Sequence, residues 1–492
     1  MHKKLNNNNS YRNILKATSL FAGVQGVNIL LNLMRTKLVA VYLGPAGVGL
    51  NAIYNETKEL LHETTNCGMD QSGVREISLH YEEWLETNNR EALDNSLKLT
   101  RSLVVTLAIL GTILSILLAY PLSLLTFSDA EHVWDFVCLA PAVGISTLIC
   151  GEMMVLKATR QIKKIAWLST LTIIIGIITN IPLYYLWGLK GIIPAILLFL
   201  AVQLIIVCRY SFAHYPFKIS FNSAFLKTGK PILILGASFV AQGFVAHGAR
   251  LLIQAYINIH GSVVDVGYYN AVLVIMSMFF GLFASSIAAD FFPRLSGIFS
   301  NEGERRTVVI RQINVMQILT SPVLVAFMVI ANIIVPLLLS NEFISIIPIL
   351  EMALLTGLVK TIATPLQYLP LAAGDAKLYF IAELIAYAFM VPIYVLCYSQ
   401  WGLYGIGYGI CIFNVIDLLW AILYCKLKYD VMPDMSNIMF FMFQTLIVLA
   451  AYLAVRNLEG WSYVMSSAVL VLVSCLTSFL TFHRIRNNDD KG

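Results

Sequence analysis

Apolar runs long enough to cross a bilayer, about 20 residues each, recur along the chain from residue 13 to residue 482. At helical period they predict about fourteen spans, near residues 13–42, 46–68, 99–120, 133–155, 165–186, 190–208, 230–257, 266–290, 313–339, 345–371, 378–399, 402–424, 436–455 and 462–482. The longest polar interval, residues 70–98, is too short for a catalytic domain. The pattern therefore specifies an all-α polytopic membrane protein. One segment breaks it: NAIYNETKELLHETTNCGMD at 51–70 is polar where the second span must lie. On a helical projection Asn51, Asn55, Glu56, Lys58, Glu59, His62, Glu63 and Asn66 cover about half the circumference. A lipid-facing span cannot carry that face, whereas one lining a wet cavity can. A helix lying flat on the membrane would instead invert every later loop, against the charge distribution described next.

Composition supports the membrane reading. The chain of 492 residues is 58% hydrophobic and 12% charged. Its mean hydropathy is +0.76, and soluble domains carry roughly 25% charged residues. The eight cysteines are scattered, with no CxxC and no metal-ligand spacing, so neither a metal nor a cofactor is expected. The basic N-terminus, MHKKLNNNNSYRN, precedes an apolar run without an A-x-A cleavage site, so that run is expected to stay as the first span. Net charge +5 does not indicate nucleic acid, because the basic residues sit in short loops without aromatic interleaving. With a cytoplasmic N-terminus, alternate loops collect Arg75, Arg90, Lys98 and Arg101, then Lys157, Arg160, Lys163 and Lys164, and so on to Arg484 and Arg486. The opposite loops hold only Lys190 and Arg456. That asymmetry predicts that both termini are cytoplasmic.

WGLKGI at 187–192 returns as WGLYGI at 401–406, and at nearly the same offset Gln25-Gly26 matches Gln242-Gly243. The expected organisation is a parallel repeat: an N-lobe over 1–212, a C-lobe over 213–428, and two further spans with a tail over 429–492. KLVAVYLGPAGVGL at 37–50, FFPRLSGIFSNEGERR at 291–306 and PLQYLPLAAGDAKLYFIAE at 365–383 resemble bacterial O-antigen and common-antigen translocases. These are the Wzx-type flippases of the multidrug/oligosaccharidyl-lipid/polysaccharide (MOP) exporter superfamily. The resemblance implies two six-helix lobes around a central hydrophilic cavity. It also implies transfer of an undecaprenyl-diphosphate-linked oligosaccharide from the inner to the outer leaflet of the bacterial cytoplasmic membrane. Expected partners are that lipid-linked diphosphate, membrane lipids and polysaccharide polymerase machinery.

Charges inside spans are costly and mark sites or ion pairs. In the first span Thr18, Gln25, Asn28, Asn32 and Arg35 share a face, while Lys37 points elsewhere and is expected to snorkel. In the seventh span, its repeat counterpart, Gly243, His247, Arg250 and Gln254 share a face, and in the tenth Thr356, Lys360, Thr364 and Gln367 do. Such cationic stripes suit a diphosphate, with Arg35 and Arg250 as a clamp from opposite lobes. The candidate substrate-binding residues are Arg35, Arg250, Lys360, Lys58, His247, Asn32 and Gln254, and the candidate ion-coupling residues are Glu56, Glu59, Glu63 and His62. Asp290 and Arg294 read as an interfacial ion pair, Glu351 and Glu383 as snorkelling, and Glu152 and Asp417 as buried acids with no evident partner. An ion-coupled multidrug exporter is the rival within transport. A membrane glycosyltransferase or glycan polymerase is the rival among enzymes, but the outer loops are short and LGPAG carries no carboxylate.

Overall fold

A computed structural model describes residues 7–221, 225–286 and 291–489, with side chains placed from Asn28 onward apart from a few short stretches. Every described element is helical. Two compact units divide the chain, residues 1–259 and 260–492.

The first unit contains α1 (Asn7–Thr65), α2 (Met69–Thr87), α3 (Glu91–Leu117), α4 (Ala119–Phe127), α5 (Val133–Ala158), α6 (Ile162–Trp187), α7 (Ile192–His214) and α8 (Phe225–His260). The second contains α9 (Val263–Ser286), α10 (Phe292–Ile298), α11 (Glu302–Leu338), α12 (Ile347–Leu355), α13 (Gly357–Ala372), α14 (Ala376–Trp401), α15 (Leu403–Tyr429), α16 (Met435–Asn457) and α17 (Gly460–Asp489). Each predicted span falls mainly on helix over its described residues. Among those residues ten helices are long and apolar enough to cross a membrane, or eleven if the bent pair α12–α13 is one span. The protein is multi-pass.

Three local features stand out along the helices. At LGPAG α1 is kinked into two helical stretches, where Gly44 (φ 63°, ψ −170°) leaves the helical path just before Pro45. Only glycine adopts that backbone region without strain. The polar interval after the second span folds as α2, whose buried face, Met69, Ser72, Gly73 and Ile77, packs against α3 and α5. The tenth span is broken at Thr356, where α12 and α13 meet at 49°. Asn414 of α15 donates to Thr356 Oγ1 at 2.9 Å, one way an interrupted helix keeps its polar groups satisfied away from water.

The two copies of the WGL[KY]GI motif build the same turn. Gly188 closes α6 at φ 53°, ψ −131°, and Gly402 closes α14 at φ 54°, ψ −134°. Each glycine N–H is bonded to a tyrosine carbonyl four residues back, Tyr184 or Tyr398. A side chain at Gly191 would meet the Leu183 carbonyl oxygen at 2.5 Å, and one at Gly405 the Cys397 carbonyl oxygen at 2.1 Å. The repeated hexapeptide thus encodes a tight helical hairpin in each unit. In the GDAK segment, Gly374 (φ 71°) precedes Asp375, which caps α14 by accepting the Leu378 N–H at 3.1 Å. The hydrogen bond from Lys428, with that backbone N–H, holds the Asp375 carboxyl below the usual carboxylate range.

Candidate functional site

The polar stretch of the second span lies on α1 and divides into two strips. Asn55, Lys58, Glu59 and His62 face a cavity of about 490 Å³ inside the first unit. Asn32 and Arg35 from the first half of α1, Ser146, Ile149 and Cys150 from α5, Ile173 from α6, and Ile196, Phe199, Leu200 and Gln203 from α7 complete its lining. The Arg35 guanidinium stacks over Phe199, 4.5 Å from the ring centroid, which holds the cation in one orientation against an apolar wall. Lys58 Nζ lies 2.7 Å from Glu59 Oε1. His62 Nδ1 is 3.1 Å from Thr147 Oγ1 of α5.

The second strip faces α8. A Cβ at Gly236 would meet the Cys67 carbonyl oxygen at 1.9 Å, one at Gly243 the Glu63 carboxylate at 3.1 Å, and one at Gly248 Leu60 at 3.9 Å. Positions 56, 60, 63 and 67 follow one helical edge, and glycines let α8 close against it. Here His247 Nδ1–H donates to Glu56 Oε1 at 2.7 Å, and Arg250 Nε lies 3.2 Å from the same oxygen.

The structure brings Asn32, Arg35, Lys58, Glu59 and His62 together around one cavity, and groups Glu56 with His247 and Arg250 beside it. Arg35 and Arg250 both belong to the unit of residues 1–259, and Arg250 is not among the described cavity-lining residues. Gln254 is buried, and its Oε1 has no partner among the described residues. Asn28 packs against α6, accepting from Thr170 Oγ1 at 2.8 Å. The side chains of Thr18 and Gln25, and Asp290 of the expected pair with Arg294, lie outside the described residues.

In the second unit Lys360 is not free: its Nζ donates to Asp417 Oδ2 at 3.0 Å, and Gln367 Nε2 donates to both oxygens of that carboxylate at 3.1 and 3.0 Å. The stripe of the tenth span therefore supplies the partner that Asp417 lacked in sequence. Glu152 has one as well. Arg101, counted above among loop cations, is buried in α3 and makes a bidentate pair with Glu152 at 2.9 and 2.8 Å. Glu351 does not snorkel; it is buried, 3.9 Å from Arg456 Nε.

Sequence reasoning passed over Phe199, Gln203, Ser146 and Cys150. Gln203, a lone amide in the apolar run IIPAILLFLAVQLIIVC, carried a signal; Phe199 carried none, because its role depends on Arg35 lying above it. Among the described residues no group of His, Cys, Asp and Glu could hold a metal ion.

The family described as polysaccharide biosynthesis protein matches residues 88–348, more than half of the chain. The chain belongs to that family. It is 24% identical over 128 residues to the lipopolysaccharide biosynthesis protein WzxC of Escherichia coli (strain K12), an alignment that spans 26% of each chain. This membrane-embedded member of the polysaccharide biosynthesis family shares its fold with two solved transporters. One is the lipid II flippase MurJ, with a TM-score of 0.72 at 16% identity over 94% of this chain and 99% of that one. The other is an inward-facing multidrug resistance MATE family transporter of the MOP superfamily, with a TM-score of 0.67 at 16% identity over 82% of this chain and 94% of that one. The all-helical, multi-span fold class expected from sequence is the one found, with ten or eleven helices long enough to span a membrane among the described residues.

Proposed function

We propose that the protein flips an undecaprenyl-diphosphate-linked oligosaccharide from the inner to the outer leaflet of the cytoplasmic membrane by alternating access, for O-antigen or capsule biosynthesis. The observation that carries this reading is the cavity of the first unit. In a helix bundle made of apolar spans it presents a stacked guanidinium at Arg35, an ammonium at Lys58 and the amides of Asn32, Asn55 and Gln203. Arginine and lysine suit a diphosphate, and amides suit sugar hydroxyls. Arg250 and His247 stand beside it as further donors, and Lys360 is their proposed counterpart in the second unit. The lipopolysaccharide biosynthesis role of WzxC and the flippase role of MurJ agree with this assignment. A multidrug exporter has the fold likeness to a MATE transporter in its favour, but Arg35 and Lys58 against the single carboxylate of Glu59 leave the described cavity wall net positive, which opposes cationic cargo.

Reconstituted vesicles carrying a lipid-linked oligosaccharide and probed by leaflet-specific labelling should show protein-dependent transfer. Export of cationic dyes without lipid transfer would replace this reading by the rival. The same vesicles test coupling through Glu56, Glu59 and Glu63, whose crowded carboxylates are the proposed route for protons together with His62. At least one of the three glutamine variants should lose its response to an imposed proton gradient while still binding substrate. Uniform wild-type responses would place the driving force elsewhere.

The proposed topology has both termini in the cytoplasm, fourteen spans and lobes at 1–212 and 213–428, with residues 429–492 appended. Single cysteines at positions 86, 223, 302 and 488 should be labelled from the cytoplasm, and those at 128, 262 and 342 from outside. An outside signal at 302 would give the lobes opposite orientations and end the parallel-repeat argument.

A further inference from the structure

The cluster of Glu56, His247 and Arg250 has an arrangement that the cavity alone does not explain. One carboxylate oxygen, Glu56 Oε1, lies 2.7 Å from the His247 imidazole and 3.2 Å from Arg250 Nε. The Nε hydrogen itself points to the Ala246 carbonyl at 3.3 Å. The terminal amino groups of Arg250 make no hydrogen bond among the described residues, and its side chain is 39% exposed against 15% for Glu56. The guanidinium is thus tethered at its base, open at its fork, and partly neutralised by a more deeply set carboxylate. A carboxylate and a phosphate are recognised by the same donors of arginine and histidine, so either anion can satisfy this pair.

We infer that Glu56 is a resident anion: it competes with the diphosphate of the substrate for Arg250 and His247, yields them when the headgroup binds, and takes them back when it leaves. This rests on the diphosphate reading above. The arrangement serves a transporter, because Glu56 can retake the Arg250 and His247 donors and so favour release of a multiply charged headgroup. Beside the cluster Gly243 lets α8 approach α1 closely, since a side chain there would meet the Glu63 carboxylate at 3.1 Å.

The competition fixes a sign that a merely structural ion pair does not. With the full chain purified in detergent near neutral pH, calorimetric titration with inorganic pyrophosphate should show tighter binding to both Glu56→Gln and Glu56→Ala than to wild type. The expected gain is about tenfold, equivalent to about 1.4 kcal/mol. Adding Arg250→Ala to Glu56→Gln should cancel it. Equal or weaker binding by both neutral variants overturns the inference, as does a gain that persists without Arg250. Failure of the two readings is distinguishable. If Arg35→Ala weakens pyrophosphate binding while the Glu56 variants match wild type, only the resident anion is wrong. If no form of the protein, wild type included, binds pyrophosphate, the diphosphate reading falls and the resident anion with it.

Discussion

Replacing Arg35 by alanine is expected to slow lipid transfer by tenfold or more at unchanged protein level. The guanidinium is one of two cations lining the cavity of the first unit and is stacked 4.5 Å above Phe199. Loss of a hydrogen bond to a charged group costs about 1.5–3 kcal/mol, and 1.4 kcal/mol is already tenfold in binding. Arg35→Lys should recover only part, since lysine keeps the charge but loses both the planar fork and the stacking. Phe199→Leu should produce a smaller defect of the same kind, because it releases the cation without removing it. Transfer at the wild-type rate by Arg35→Ala, measured in the vesicle assay, would reduce this residue to a structural role.

The largest effect on stability is expected at a different ion pair. Arg101 and Glu152 are both buried, joined by two hydrogen bonds at 2.9 and 2.8 Å. Ser211 Oγ donates to Glu152 at 2.6 Å, and Arg101 Nη1 donates to the Pro216 carbonyl at 2.9 Å. Phe212 and Phe217 flank the guanidinium at 5.2 and 5.7 Å. Every side of the pair is therefore occupied by protein. Glu152→Leu leaves a buried cation without its counter-ion and should destabilise the fold by about 3–5 kcal/mol. The double variant Arg101→Met/Glu152→Leu removes both charges and should restore most of the loss, because two apolar side chains need no partners. Thermal unfolding in detergent, followed by the loss of monodisperse protein, reads the difference. If the double variant is as unstable as the single, packing around Ser211 and Pro216 rather than charge compensation holds this end of α3.

The contrast between these two arginines shows where sequence reading stopped. Arg35 was singled out because it ends a polar stripe in an otherwise apolar span, and it lies in the cavity wall. Arg101 reads as a loop cation because it stands at the edge of a basic interval, three residues after Lys98. Its position along the chain could not reveal that α5 brings Glu152 across to meet it. The same holds for Asp417 with Lys360, and for Glu351 with Arg456. Each acid was visible as a buried charge in need of a partner, but partner choice is long-range. The repeat behaved differently. WGLKGI and WGLYGI build the same geometry twice, because a tight hairpin is set by local backbone preferences and the glycines stand where a side chain would strike a carbonyl oxygen.

The class of fold and the short connections of the repeated motif are legible in neighbouring residues alone. Span length, hydrophobic period and glycine placement are properties of neighbouring residues. The sequence also dictates that the second span must meet water or protein on half its surface, since lipid cannot solvate carboxylates and amides. How that surface is shared depends on the helices packed against it. α5, α6 and α7 leave room for a cavity against Asn55, Lys58, Glu59 and His62, while the glycine face of α8 closes on Glu56, Leu60 and Glu63. Residues one position apart on α1 thus receive different environments, and the reason is packing: a helix displays its side chains by period, but which face meets water and which meets a partner is set by the helices laid against it.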